Sequence, residues 1–163
     1  MKTLKMLICA LTLSFVFSVT GSAAMPSSLK TEEYSHYDEE TGYYETITTT
    51  VSFSFPIRKA YASQTPSTKT VTREVRVTDA AQALLWNLSL TATFSYDGST
   101  SKCISCSHSA SAPGNGWSIQ SSSSSKSGNT AYATATAVHK LFFLSKTTTK
   151  NLSISCTPAG EIQ

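Results

Sequence analysis

Apolar and polar residues alternate along much of this chain, a pattern typical of half-buried β-strands. The longest example is Leu84–Tyr96, where every even position is apolar and, apart from Leu85, every odd position is polar. A period of two places successive side chains on opposite faces of a strand, whereas a helix would spread the same apolar residues over all its faces. The dipeptide Asp97-Gly98 then ends the strand with a turn.

The same alternation predicts further short strands. Their shared features are β-branched or aromatic residues on one parity and Thr or Ser on the other, a composition that favours strands over helices. They are expected at residues 47–55, 71–78, 102–109, 117–125, 130–138, 141–144 and 152–156. Seven or eight such strands predict an all-β fold, an antiparallel β-sandwich of the Ig-like or a similar type. Residues 121–125 are all serine, so a flexible loop is the alternative there, and only residues 79–83, with Asp79 as cap, suggest a helical turn.

The N-terminus has the three parts of a secretory signal peptide. Lys2 and Lys5 form a positive segment, residues 6–20 are apolar except for Thr and Ser, and Ala23-Ala24 suit cleavage. We expect cleavage after Ala24, or after Ala23, so that residues 1–24 are removed and the protein is secreted, extracellular or at the cell surface. A retained anchor is the alternative, but this run is short of the ~20 residues needed to cross a bilayer. We expect no transmembrane segment after cleavage.

Charge is unevenly distributed once the signal is removed. Without Lys2 and Lys5, 11 of the 13 Lys and Arg remain against 10 Asp and Glu, so the net charge falls from +3 to +1. This weak charge gives no reason to expect nucleic-acid binding. Because the acids are concentrated near the new N-terminus, we expect an acidic, flexible arm over residues 25–42 and the β-sandwich over residues 43–163. An arm that docks on the basic body is the alternative.

Several motifs together resemble a known group of proteins. They are the stretch from Trp86 to Gly98 (WNLSLTATFSYDG), Cys103, Trp117-Ser118, residues 125–130 (SKSGNT) and the closing Ser-Cys156-Thr. In these, residues 70–163 resemble small secreted proteins of Gram-positive gut bacteria of the clostridial type. The resemblance implies export and a β fold, and it supplies no mechanism.

Cleavage would also leave an odd number of cysteines, because Cys9 is lost while Cys103, Cys106 and Cys156 remain. Exported proteins meet oxidising conditions, so we expect one disulfide between an early core strand and the last strand. In the similar group, one cysteine follows the turn and another ends the last strand, which implies a Cys103–Cys156 bond. Cys106 departs from that pattern, and a Cys106–Cys156 bond is the alternative.

The sequence Cys103-x-x-Cys106-x-His108 allows two other interpretations. A redox pair of the thioredoxin type needs a helix N-terminus that lowers a thiol pKa, and no such helix is predicted. A structural zinc site would need four N or S ligands, with Cys156 as the fourth. We favour neither, and we expect no cofactor and no metal.

No catalytic constellation can be assigned. The three histidines are scattered, and no serine lies in a Gly-x-Ser-x-Gly setting. A small hydrolase or carbohydrate-active module would need a pocket that brings together at least two of Glu74, Asp79, Asp97, His108 and His139.

Export, the β pattern and the missing catalytic set favour a non-enzymatic module that acts by binding, with a protein or cell-wall partner. An exposed apolar patch at one end of the sandwich would support this hypothesis. The alternatives are the small hydrolase or carbohydrate-active module and a secreted toxin or bacteriocin-like factor. Tyrosines at 34, 37, 43 and 44 could form a protein-binding segment, although Tyr43 and Tyr44 more simply begin the first strand.

Overall fold

The computed structural model describes residues 29–39, 41–54 and 66–163. The expected signal peptide and Cys9 lie outside them. Each element of the described chain is a strand: β1 Leu29–Asp38, β2 Tyr43–Ser54, β3 Ser67–Thr78, β4 Leu84–Tyr96, β5 Ser101–Ser111, β6 Trp117–Ser127, β7 Thr130–Leu141 and β8 Leu144–Ser155. Within the described residues, no helix is long and apolar enough to cross a membrane.

The strands form two antiparallel sheets, which confirms the predicted all-β sandwich. The larger sheet has the order β1-β2-β3-β4-β5 and the smaller one β6-β7-β8. Strands β3, β4 and β5 face the smaller sheet, so β1 and β2 continue the larger sheet past the edge at β8. Within each sheet, strands that follow one another in the sequence pair with one another, so each sheet is a meander. The turns β1–β2, β3–β4 and β7–β8 lie at one end of the sandwich. The link from β5 to β6 lies at the same end.

The core lies between β4 and β7. The even residues of β4 from Trp86 to Phe94 are buried, as the alternation predicts. Small alanines at 131, 133, 135 and 137 of β7 face them and are buried as well. Large side chains on one sheet thus meet small ones on the other, and this alternation of size fills the space between the sheets.

Three strands contain a β-bulge, an extra residue that reverses the parity of everything beyond it. The pairing skips Leu85 in β4, Ile104 in β5 and Gln120 in β6. The bulge at Leu85 explains why this one residue broke the sequence pattern. Gly114 packs directly on it: its N–H donates to the Leu85 carbonyl at 2.9 Å, and a Cβ on Gly114 would lie 2.8 Å from the Leu85 Cα.

Strand β1 occupies residues that we expected to form a flexible arm. It pairs with β2 along its whole length, from Leu29↔Ser52 to Asp38↔Tyr43, so residues 29–38 are part of the larger sheet. The sequence did not reveal this strand because most of its side chains are exposed, which removes the apolar alternation. Backbone pairing and side-chain contacts hold it, among them the Tyr37 and Tyr44 rings at 4.9 Å. Tyr43 and Tyr44 begin β2, as the simpler interpretation predicted.

Residues 141–144, expected to form one strand, are divided by a hairpin turn: Leu141 ends β7 and Leu144 begins β8. Strands β7 and β8 pair in register from Thr130↔Ser155 to Leu141↔Leu144, which leaves only Phe142 and Phe143 to reverse the chain. The serines at 121–125 belong to β6, an edge strand, so the strand interpretation is confirmed there. At residues 79–83 the chain forms a turn without a helix, in which the Asp79 carboxylate accepts from the N–H groups of Ala81 and Ala83.

Candidate functional site

The three described cysteines are free thiols in the structure. Cys103 and Cys156 are buried and Cys106 is partly buried. The N–H of Cys103 donates to the Gly128 carbonyl at 2.9 Å, and that of Cys156 donates to the Asn129 carbonyl at 3.1 Å. Both cysteines therefore flank the same β6–β7 turn, at the opposite end from the β7–β8 turn. The Cys103–Cys156 bond and its Cys106–Cys156 alternative stay predictions.

The bulge at Ile104 places Cys103 and Cys106 on the same face of β5, although a separation of three residues would normally place them on opposite faces. Burial raises the pKa of the Cys103 thiol, and the neighbouring Cys106 raises it further. An attacking redox thiol needs a lowered pKa. The structure therefore gives no support to a thioredoxin-type pair.

The His108 side chain of β5 contacts two serine side chains of β6, a strand of the other sheet. The bulge at Gln120 turns Ser122 and Ser124 toward β5. Their hydroxyls lie 3.2 Å from His108 Nε2 and 2.8 Å from His108 Nδ1, respectively. No three or more His, Cys, Asp or Glu side chains in the described ranges come together as a metal site. The zinc interpretation thus has no ligand set in that part of the chain.

The five side chains considered for a catalytic pocket lie on separate surfaces. Glu74 accepts from Asn87 Nδ2 at 2.6 Å on the outer face of the larger sheet. Asp79 and Asp97 each organise a turn, at opposite ends of β4. His108 lies on β5, and His139 stacks on Trp117 at the end of β7. The structure assembles no acid–base pair from these residues.

A groove runs between the β1–β2 hairpin and the edge of the smaller sheet at β8. Two adjoining depressions of about 580 and 310 Å³ form it, and both are lined by Glu32, Thr49 and Arg73. Arg73 bridges the groove, because its Nε donates to Thr49 Oγ1 at 3.0 Å and its Nη1 donates to the Ser153 carbonyl. Arg73 therefore connects the two sides of the groove through hydrogen bonds within the protein.

A buried carboxylate joins the two sheets beside this groove. Glu45 is 5% exposed and forms an ion pair with Lys150 of β8, while its Oε2 lies 3.8 Å from His36 Nε2 of β1. These contacts hold the β1–β2 hairpin against the edge of the smaller sheet. Glu45 has the same parity as Ile47 and Val51, which is the sequence signal that could have identified it as inward-facing.

The β7–β8 turn carries the most exposed of the large hydrophobic side chains on the described surface. Phe142 and Phe143 are each 102% exposed, and Leu144 is 76% exposed. We call these three residues the hairpin tip. The two phenylalanines alone present roughly 300–500 Å² of surface, which is the size of the largest apolar patch on a typical monomer, a patch that is often functional.

The backbone conformation of Phe142 is a second unusual feature of the hairpin tip. Phe142 has φ 47°, in the left-handed region where Gly and Asn are favoured and a bulky side chain is a rare outlier. Strained residues of this kind are concentrated at functional sites. An apolar, strained turn at the surface is unfavourable for folding, so its presence points to a role outside the fold.

The β7 strand below the tip is anchored on the link between the sheets. The N–H of Lys140 donates to the Gly116 carbonyl at 2.8 Å. The His139 imidazole stacks on the Trp117 indole, with ring centroids 4.8 Å apart and planes 3° apart. Trp117 in turn lies against Trp86 of the core, at 6.5 Å between ring centroids.

The β8 strand is anchored on the neighbouring β1–β2 hairpin. Lys146 Nζ donates to the Thr41 carbonyl at 3.0 Å and lies 5.3 Å from the centre of the Tyr43 ring. Both strands that carry the hairpin tip are thus fixed within a few residues of it. The tip is presented by a rigid base.

Basic residues border the hairpin tip. Residues 139–150 contain Lys140, Lys146 and Lys150 and no Asp or Glu. Lys140 lies on the outer face of the smaller sheet, while Lys146 has the parity of the inward-facing residues Leu152 and Ile154. Positive charge therefore flanks the tip on both faces.

Comparison with protein-family models, with curated proteins and with solved structures gives no match.

Proposed function

We propose that this protein is a secreted, non-enzymatic binding module that attaches to its target through the hairpin tip of Phe142, Phe143 and Leu144. The observation that carries the proposal is the full exposure of two phenylalanines in a strained turn on a rigid base. The export signal read from the sequence supports it further, because it brings the tip to surfaces outside the cell.

The energetics of burial explain how a tip this small can serve as an attachment site. Burying one Phe or Leu side chain contributes roughly 1.5–3 kcal/mol. Because the base is already ordered, little conformational entropy is lost on binding beyond that of the tip side chains. No described cluster favours the hydrolase alternative, since its candidate residues lie apart.

The test measures how much purified protein sediments with intact Gram-positive cells, isolated cell walls and lipid vesicles. The variant is Phe142→Ser with Phe143→Ser, and the matched control is Tyr132→Ser. Tyr132 is also exposed, on the outer face of the same sheet, and distant in sequence from the tip. Thermal unfolding of each variant verifies that it is folded.

We expect at least one of these surfaces to retain the original protein and the Tyr132→Ser control equally. The double variant should lose retention at least tenfold, because each exposed phenylalanine contributes about one tenfold factor or more. Failure of every surface to retain the protein, or equal retention of the double variant, would overturn the proposal.

A further inference from the structure

We propose that the surface bound by the hairpin tip is an anionic lipid bilayer, with the three apolar side chains at the boundary between headgroups and acyl chains. This inference rests on the proposed function, and it names the partner. Four properties of the tip support a bilayer over a protein: its shape, the spacing of its lysines, their placement on both faces, and its conformation.

The tip is convex. Phe142 and Phe143 are fully exposed at the turn between two paired strands. A protein partner would need a preformed pocket of matching shape, with polar groups satisfied around its rim. A bilayer is deformable and accepts any apolar projection of suitable length.

The distance from the phenylalanines to the lysines matches the depth of a bilayer interface. Lys140 precedes Phe142 by two residues and Lys146 follows Phe143 by three. At ~3.3 Å per residue in a strand, the lysine backbones lie about 7–10 Å below the tip. Interfacial segments bury their apolar face ~5–10 Å into the same boundary, so the Lys140 ammonium group would reach the phosphates, while the Lys146 ammonium group, held on the Thr41 carbonyl and over the Tyr43 ring, would add positive charge at a similar depth.

Charge favours anionic lipid in particular. Lys140 and Lys146 lie on opposite faces of the hairpin, so both sides of an inserted tip would present a cation to the headgroups. The Asp38 and Asp79 carboxylates lie at the same end and keep their negative charge while they accept hydrogen bonds from their own turns. Glu39 is exposed in the β1–β2 turn as well, so the tip must approach the bilayer ahead of both turns.

The left-handed conformation of Phe142 adds an independent argument. A turn that served only to connect β7 to β8 would accommodate Asn or Gly without strain. The chain instead holds an aromatic residue there, at φ 47°. An aromatic residue next to Phe143 doubles the apolar volume at the turn, which is where insertion requires it.

The experiment measures sedimentation of the purified protein with two kinds of vesicle, phosphatidylcholine alone and equal parts of phosphatidylcholine and phosphatidylglycerol. The salt concentration is about 0.1 M and then about 1 M, over which the Debye length falls from ~10 Å to ~3 Å. The variants are Phe142→Ser with Phe143→Ser, and Lys140→Gln. Tyr132→Ser is again the control, and thermal unfolding shows that each variant is folded.

We expect the protein to bind the anionic vesicles at least tenfold more tightly than the neutral ones, and high salt to remove most of this preference. The phenylalanine variant should lose binding to both kinds of vesicle. The Lys140→Gln variant should lose about fivefold on anionic vesicles alone, and Tyr132→Ser should behave as the original protein.

The depth to which the tip inserts is measured by the quenching of tryptophan fluorescence in a Phe143→Trp variant, with lipids brominated on the acyl chains. Trp86 and Trp117 are buried, so quenching on anionic vesicles should come from the new indole. Absence of quenching while the protein is bound would overturn the insertion.

If anionic vesicles bind no protein but cells or cell walls retain it through the phenylalanines, the lipid inference fails and the proposed function survives. If no surface distinguishes the phenylalanine variant, both fail.

Discussion

The His139 imidazole and the Trp117 indole stack with nearly parallel rings, whose planes are 3° apart in orientation and whose centroids are 4.8 Å apart. The two residues are direct partners across β6 and β7. Trp117 also meets Tyr43 edge to face at 5.6 Å, so that one indole connects both sheets and the strand that carries the hairpin tip.

Replacing His139 by Ala should therefore weaken the base of the tip. We expect a loss of about 1–2 kcal/mol in the free energy of unfolding, since an aromatic pair contributes ~0.5–1.5 kcal/mol beyond the area that it buries. Urea unfolding measures the loss, with Tyr132→Ala as an exposed aromatic control on the same strand. A loss no larger than that of the control would contradict the role assigned to the stack.

The Glu45–Lys150 ion pair yields a second prediction. Lys150→Met leaves the Glu45 carboxylate buried with His36 as its one remaining basic partner among the described residues, and the free energy of unfolding should fall by about 2 kcal/mol. Replacing both residues, Glu45→Leu with Lys150→Met, should recover part of that loss because no charge is then left buried. Urea unfolding of the two single variants and the double variant gives the coupling, and additive losses would argue against a linked pair.

Acid should weaken the fold partly through Asp97. Hydrogen bonds from the Thr100 and Ser99 N–H groups, at 2.7 and 2.9 Å, hold the pKa of this carboxyl below its usual value of about 3.9. A pKa that is lower in the folded state contributes stability above the unfolded value, and this contribution is lost as the pH falls through the folded value. The urea midpoint should therefore fall less for Asp97→Asn than for the original protein between about pH 5 and pH 2. Equal slopes would show that Asp97 is not part of the acid response.

The disulfide prediction can be tested by mass. Cys103 and Cys156 flank one turn, so their pairing would fasten β5 to the end of β8. Protein recovered from an oxidising medium and denatured without reductant should carry one alkylatable thiol, on Cys106, and two hydrogens fewer than the reduced chain. Reduction should lower its stability by roughly 2–4 kcal/mol. Three alkylated thiols before reduction would contradict any disulfide.

The sequence was most informative where one face of a strand is buried. Strand β4 follows its predicted bounds because Trp86, Leu88 and Leu90 are buried while their neighbours are not. Strand β1 carries no such signal, since its stability comes from backbone pairing with β2 and from contacts such as Tyr37 on Tyr44. Periodicity detects burial, and an edge strand that buries little escapes it.

The hairpin tip shows the converse limit. The run from Leu141 to Leu144 is apolar, and apolarity alone indicated a strand. Register decides otherwise, because two strands of twelve residues pair completely and leave Phe142 and Phe143 at the reversal. The absence of alternation across these four residues, between two regularly alternating strands, was the available signal. The pairing of β7 with β8 in the structure was needed to identify Phe142 and Phe143 as an exposed turn.

Phe142→Asn tests most directly whether the tip exists for binding rather than for folding. Asn tolerates the left-handed conformation, so we expect the free energy of unfolding to rise by about 0.5–1 kcal/mol. Retention on the surface that holds the original protein should fall about tenfold or more with the loss of one phenylalanine. A more stable protein that binds less is the predicted result. A variant that binds as well as the original protein would contradict the account.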